Sequence, residues 1–339
     1  MTPSLPSLRA SGTAARRPTA VRPAGRWAGA ADAEATWEAP AHYSLAATCF
    51  PLQRGDGDPT FAPHPAGFWT AFRTPEGTVS LLITHVDGML RVKGWGDGAG
   101  HAVASAPALL GLTDDWAAFD AEPFHTSLPH LVRQARRRNP GLRAPATGRV
   151  VDALVPTILE QKVTTLEARR AYRYLLRRFG SPAPAAGQVA PAGLTVAPSA
   201  AEWLKVPSWE WHRSGVGPQR SDTIVRALRS ASGLERLGGK SAEEAAAGLQ
   251  SIPGIGVWTA AEVTQRTHAD PDSVAVGDFH LAKFVGFALT GERTDDAGML
   301  RLLEPWRGQR QRLVRMLYLA EVKAPRFGPR MTIQDHRGH

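Results

Sequence analysis

The 339-residue sequence contains one cysteine, Cys49. That count excludes an internal disulfide framework, a cysteine-rich zinc site and a four-thiolate iron–sulfur cluster. The chain also lacks any apolar run near the roughly 20 residues that a membrane-spanning helix requires. Acidic residues are in deficit, with 31 Asp and Glu against 40 Lys and Arg, a formal charge of +9. The pI of 10.3 that results favours an anionic partner and says nothing about fold. A lone thiol and no apolar span fit an intracellular protein best.

Composition divides the chain. Residues 1–40 are rich in Ala, Arg and Pro without periodicity, which predicts a disordered basic tail or an over-extended start, although an Arg-rich leader looks similar. Residues 41–112 read as a β-rich domain. "GFWTAFRT", "TVSLLITH" and "MLRVKGW" are β-prone runs separated by the turn tripeptides "PEG" and "VDG", and "YSLAATCF" reads as a fourth strand. Residues 113–325 read as helical, with 326–339 a C-terminal tail. Within the helical part, Thr164 and Glu167 have the spacing of a capping box, and Ser221 and Ser241 stand where helix N-caps are expected. The segment Ser181 to Ala200, "SPAPAAGQVAPAGLTVAPSA", reads as a surface loop or linker. The predicted class is α+β: a small antiparallel sheet followed by a mainly helical domain.

The stretch "LQSIPGIGVWTAAEV", Leu249 to Val263, is the sharpest local signal. Pro253 ends one helix, Gly254 and Gly256 permit a tight turn, and a second helix starts near Val257. Unpaired N–H groups at such a helix start form a phosphate site, around Gly254, Ile255, Gly256 and Thr259. A plain helix–helix connection is the alternative. Three basic segments, "RQARRRNPGLR", "ARRAYRYLLRR" and "RGQRQRLVR", read either as solvated helix faces or as a nucleic-acid-facing surface.

"SIPGIGVWTA" followed by Asp278, 22 positions after Gly256 (278 − 256), resembles the helix-hairpin-helix DNA glycosylase superfamily. "NPGLRAP", "ILEQKVT" and "EPWRGQRQRLVRMLYLAE" extend the resemblance to the 3-methyladenine DNA glycosylase II branch, over roughly Tyr43 to Glu321. The resemblance implies a glycosylase that acts on damaged double-stranded DNA in base excision repair. Asp278 would be its catalytic carboxylate, and helix capping is the alternative use of that residue. Trp258, Tyr318 and, less directly, Phe279 would wall the base pocket; aromatic core packing is their alternative use. Gln161 and Lys162 occupy the position of the side chain that fills the gap left by a flipped base. A structural monovalent cation on the carbonyls of Gln250, Ile252 and Gly254 is also implied, with no iron–sulfur cluster.

The sequence departs from that family's pattern at three points. Glu262 stands where an aromatic is common, Leu317 where a second tryptophan is expected, and Trp258 where strand-cutting relatives carry a nucleophilic lysine. The last difference points to hydrolysis without strand cleavage. A glycosylase for another lesion, or a DNA-binding protein without chemistry, are the competing readings. "WEWHR", Trp209 to Arg213, has no counterpart; core packing and a pocket wall are its two possible uses.

Overall fold

A computed structural model describes residues 29–322. Five antiparallel strands form one sheet: β1 (Ala33–Glu38), β2 (Phe61–His64), β3 (Gly67–Thr74), β4 (Gly77–Val86) and β5 (Met89–Trp95), in the order β1-β5-β4-β3-β2. The turn tripeptides locate the β3–β4 and β4–β5 hairpins correctly. Their register follows the apolar alternation, with Trp69 opposite Leu82 and Ile83 opposite Val92. Val79, Leu81, Ile83, Leu90 and Val92 face a helix, Ala99–Leu109, whose Ala102, Val103 and Ala106 complete the first core.

Three sequence-based expectations fail in this region. The strand β1 lies inside the stretch assigned to a disordered tail, because six residues of ordinary β propensity find an open edge on β5. Residues 1–28 and 323–339, which hold the rest of both expected tails, lie outside the described residues. "YSLAATCF" is a short helix, Leu45–Cys49, started by Ser44, whose Oγ accepts from Ala47 N, and followed by a 3-10 turn, Phe50–Leu52. Helix also begins earlier than Thr113, at Ala99.

Residues 181–197 are not a solvated linker. They form a two-residue ladder (Ser181–Pro182 with Thr195–Val196) and bury Ala183, Ala185, Ala190 and Leu194 against Trp69 and Trp95 on the outer face of the sheet. Ser80 Oγ donates to Pro184 O at 2.7 Å across that contact. The sheet is covered on both sides.

The helical region is built around Val150–Leu159, the central helix, in which every residue but Asp152 is buried. Thr165–Phe179 follows it. Thr164 and Glu167 form the expected capping box, as Ser241 and Glu244 do for Ala242–Gln250. Ser221 is not a cap; the helix Pro218–Leu228 starts at Gly217 with proline in its first turn. In "WEWHR", Trp211 stacks on Trp203 at 5.7 Å in the core, while Trp209 is exposed. Core packing therefore accounts for one of its two tryptophans. Among the described residues no helix is long and apolar enough to cross a membrane.

Candidate nucleic-acid interface and base site

The hairpin consists of Ala242–Gln250 and Val257–Thr267, the first and second hairpin helices, joined by a turn through Ser251 to Gly256. Ile255 is 4% exposed in the central core and its N–H donates to Ile252 O, so it pins the turn from inside and its side chain has no surface role. Gly254 has φ +98°, and a Cβ there would lie 2.5 Å from Thr223 Oγ1. Glycine is required at that position. Gly256 differs from the expectation: its φ of −98° is ordinary, and a Cβ would meet nothing within 4 Å. Its bareness matters to whatever approaches from outside. The N–H groups of Val257, Trp258 and Thr259 open the second helix without intrahelical acceptors, in the arrangement that suits an anion.

Gln161 does not project as a wedge. Its Nε2 donates to Gly254 O at 3.0 Å and to Thr259 Oγ1 at 2.9 Å, so the loop after the central helix is tied to the hairpin turn. Thr259 is itself 2% exposed, which removes it as a side-chain contact to a ligand. Lys162, next in the chain, is exposed with φ +54°, a left-handed backbone. Of the expected cation ligands, Ile252 O accepts from Ile255 N and Gly254 O from Gln161 Nε2. Each carbonyl keeps a second lone pair, and neutral oxygens suit a hard monovalent ion, so the donor set fits.

Asp278 sits in the loop before the helix Leu281–Thr290. Its Oδ1 accepts from His280 N at 2.8 Å and from Leu281 N at 2.9 Å, so it caps that helix. Oδ2 has no protein hydrogen bond among the described residues. Tyr318, on the C-terminal helix Arg310–Leu319, lies flat on Phe284 with ring centroids 4.4 Å apart and planes 4° apart, yet remains 55% exposed. Burial, followed by the charges of Asp278 and Glu262, pushes its phenol up to about 12. The Phe284–Tyr318 stack brings the C-terminal helix against the helix that Asp278 starts.

Trp258 is half-buried against a core that holds Ala261, Leu281, Val285 and Leu313, and its Nε1 is buried without a partner. Leu317 points fully into that core. Phe279 is 62% exposed, and its ring partners are His280 and the Lys283 ammonium at 4.6 Å rather than Trp258 or Tyr318.

A charged cluster beneath this site has no signature in the sequence. Arg266 Nη1 donates to Glu262 Oε2 at 2.7 Å, and its Nε donates to Pro51 O of the sheet region. Arg54 pairs with Glu160 at 3.1 Å, and burial and then the charge of Arg266 lower its pKa. Arg54 and Arg266 also line a cavity of about 60 Å³ with Arg149, Asp152 and Tyr172. Other arginines of the basic segments are spent internally. Arg136 holds Asp120 and lies over Trp116, and Arg312 holds Asp114. Arg137, Arg138, Arg177 and Arg178 remain exposed.

No family model matches the chain, and no curated protein matches it. Solved structures do. A 3-methyladenine DNA glycosylase from Archaeoglobus fulgidus superposes with a TM-score of 0.68 at 18% identity, covering 84% of this chain and 97% of its own. MBOgg1 in complex with a low-affinity DNA ligand gives 0.64 at 14%, covering 90% and 98%. A Clostridium acetobutylicum 8-oxoguanine glycosylase/lyase bound to double-stranded DNA gives 0.61 at 10%, covering 82% and 91%. The fold is that of the helix-hairpin-helix DNA glycosylases, an α+β architecture with an N-terminal antiparallel sheet.

Proposed function

We propose that this protein is a monofunctional DNA glycosylase of base excision repair. It would hydrolyse the N-glycosidic bond of alkylated purines of the 3-methyladenine type in damaged double-stranded DNA, acting as a monomer in the bacterial cytoplasm. The observation that carries this reading is Asp278, fixed by two backbone N–H groups at one oxygen and open at the other, at the start of the helix whose Phe284 stacks on Tyr318.

The C1′–N bond is inaccessible in a stacked duplex, so the nucleotide must leave the stack. The hairpin turn holds a phosphate through its first-turn N–H groups, with Gly256 offering no side chain to obstruct the backbone. A cation held by the carbonyls of Gln250, Ile252 and Gly254 would add positive charge there. Lys162 fills the vacated space or reaches a phosphate. As the bond breaks, positive charge develops on the sugar, and Asp278 Oδ2 stabilises it and orients the attacking water. Because Oδ1 is already held by the helix start, the carboxylate does not have to reorganise during the reaction. A cationic alkylpurine leaves with little acid assistance and stacks on the exposed face of Tyr318. Trp258 in the lysine position has no amine to attack C1′, so the product is an intact abasic site.

A second reading, a glycosylase for another lesion, is favoured by two features: Leu317 is buried, and a carboxylate replaces an aromatic at position 262. Mass spectrometry of bases released from alkylated genomic DNA separates the two readings. Asp278→Asn keeps the cap acceptor and loses the charge. It should lower release by about 10³-fold while leaving affinity for an abasic-analogue duplex within a few-fold. Borohydride should trap no covalent complex. A trapped complex that disappears when Lys162 or Lys283 is replaced would overturn the monofunctional assignment.

A further inference from the structure

We propose that the helices Thr165–Phe179 and Ser208–Arg213 form a second nucleic-acid surface, which takes an unpaired DNA strand. A base of that strand stacks on Trp209, and arginines of both helices hold its phosphates. This binding is separate from base excision and does not depend on it.

The short helix Ser208–Arg213 is pinned by one tryptophan and presents the other. Trp211 is 3% exposed and stacks on Trp203, which fixes the rotation of the helix about its axis. Trp209, two residues earlier and so on the far side of a 3.6-residue turn, is 64% exposed. Arg213 follows Trp209 by four residues and shares its side of the helix, with 65% of its side chain exposed.

The neighbouring helix supplies further cations. Tyr174 Oη donates to Glu210 Oε2 at 2.7 Å, which sets the middle of Thr165–Phe179 against Ser208–Arg213. Arg170 lies one turn before Tyr174, and Arg177 and Arg178 lie one turn after it; all three are exposed. The carboxylate beneath them, Glu210, is 4% exposed and is shared by Tyr174 Oη and Arg213 Nη1. It therefore offers little opposing charge to a phosphate. An exposed indole thus stands among guanidinium groups on two helices.

This surface is continuous with the hairpin side of the molecule. The Arg220 guanidinium donates to Gly215 O, two residues past Arg213, at 2.9 Å and to Leu159 O, at the end of the central helix, at 2.8 Å. Gln161, two residues beyond Leu159, is tied to the hairpin turn. Lys162 and the exposed Leu166 then lead onto Arg170. From Leu166 to Arg177 the helix rises about 17 Å at 1.5 Å per residue, enough to follow several nucleotides.

A basic track that carries an exposed aromatic suits single strands, because each base has a π-face and each nucleotide a phosphate. In an intact duplex the bases are already stacked, and Trp209 would have none to receive. An overhang or gap beside a damaged site supplies them. The competing reading is a solvated basic face with a solitary exposed ring.

The two are separated by fluorescence anisotropy of the full chain with a short fluorescein-labelled oligothymidylate, which forms no duplex, and with an undamaged blunt duplex. The oligothymidylate should bind, Trp209→Ala should weaken it about tenfold, and Trp209→Phe should keep its affinity within about threefold. Replacing Arg177 and Arg178 together by alanine should flatten the log–log dependence of that affinity on salt by about one unit. Affinity for the duplex should stay within twofold in both Trp209 variants. No binding of oligothymidylate, an alanine variant unchanged within twofold, or equal losses with alanine and phenylalanine overturns the proposal. Equal losses for duplex and single strand overturn it as well, since the ring would then be touching paired DNA.

Discussion

The two ends of the second hairpin helix are built on opposite terms. At the Val257 end, backbone N–H groups are uncommitted, Gly256 carries no side chain, and Val257 itself is 50% exposed. At the Arg266 end, each charge has a partner: Glu262, Glu160, Arg54 and the carbonyl of Pro51. One end is open to a partner and the other fastens the helix to the rest of the molecule. In the proposed function this helix carries a contact surface and a base site together. The uncommitted end keeps its position because the far end is over-determined.

The largest effect should come from breaking the fastened end. Arg266→Ala leaves Glu262 half-buried without its cation and frees Pro51 O, and should cost about 3 kcal/mol of stability, read by denaturant unfolding. A loss below about 1 kcal/mol would mean that the two ends are not different in kind. A smaller effect is expected at the open end. Gly256→Val places its side chain in empty space, so stability should change by less than about 1 kcal/mol. Affinity for duplex DNA of any sequence should nevertheless fall by about tenfold, since phosphate contacts carry no base information. A drop confined to lesion-containing duplexes would contradict the phosphate role.

The smallest effect sharpens the comparison at the start of the central helix, close to the cavity that Arg266 lines. Burial and then the charge of Asp152 raise the pKa of Glu235 to about 7, against the lowering hydrogen bonds from Val151 and Val150. An acid whose folded pKa exceeds its unfolded value binds more protons when folded, so its contribution to stability declines as pH rises from the ordinary glutamate range through 7. Glu235→Gln should flatten that decline and leave the protein slightly more stable at pH 8. Melting temperatures across pH 5 to 8 that run parallel in both proteins would exclude Glu235 as the group responsible.

The legible parts of this molecule are those set by near neighbours. The β3–β4 and β4–β5 hairpins follow from "PEG" and "VDG", and the capping box follows from Thr164 and Glu167 three residues apart. The hairpin turn was readable for the same reason, as Gly254 answers to a local backbone angle. What could not be read depends on partners far along the chain. Gln161 looks like a free amide until Gly254, 93 residues away, accepts from it. Arg136 and Arg312 look available to a phosphate, but Asp120 and Asp114 hold them. Arg54 in "RGDGD" gives no hint that it will be buried against Glu160. Ile255 shows the limit in reverse: its position in the turn was clear, and its inward direction was not. The capping use of Asp278 is visible in the sequence, and the structure contains it.

The Pro/Ala-rich segment that leaves the helix Thr165–Phe179 and returns to the helical region lies across the sheet on its way. The polypeptide therefore visits the sheet twice, once as its strands and once as their cover, with the central helix formed in between. Neither region can be cut out as a contiguous piece. A fragment ending before Ser181 would leave Trp69 and Trp95 bare, and one starting after Trp95 would leave the alanines of the cover with nothing to sit on. The molecule is laced rather than jointed, and local damage to the lacing should propagate to the hairpin through the fold as a whole.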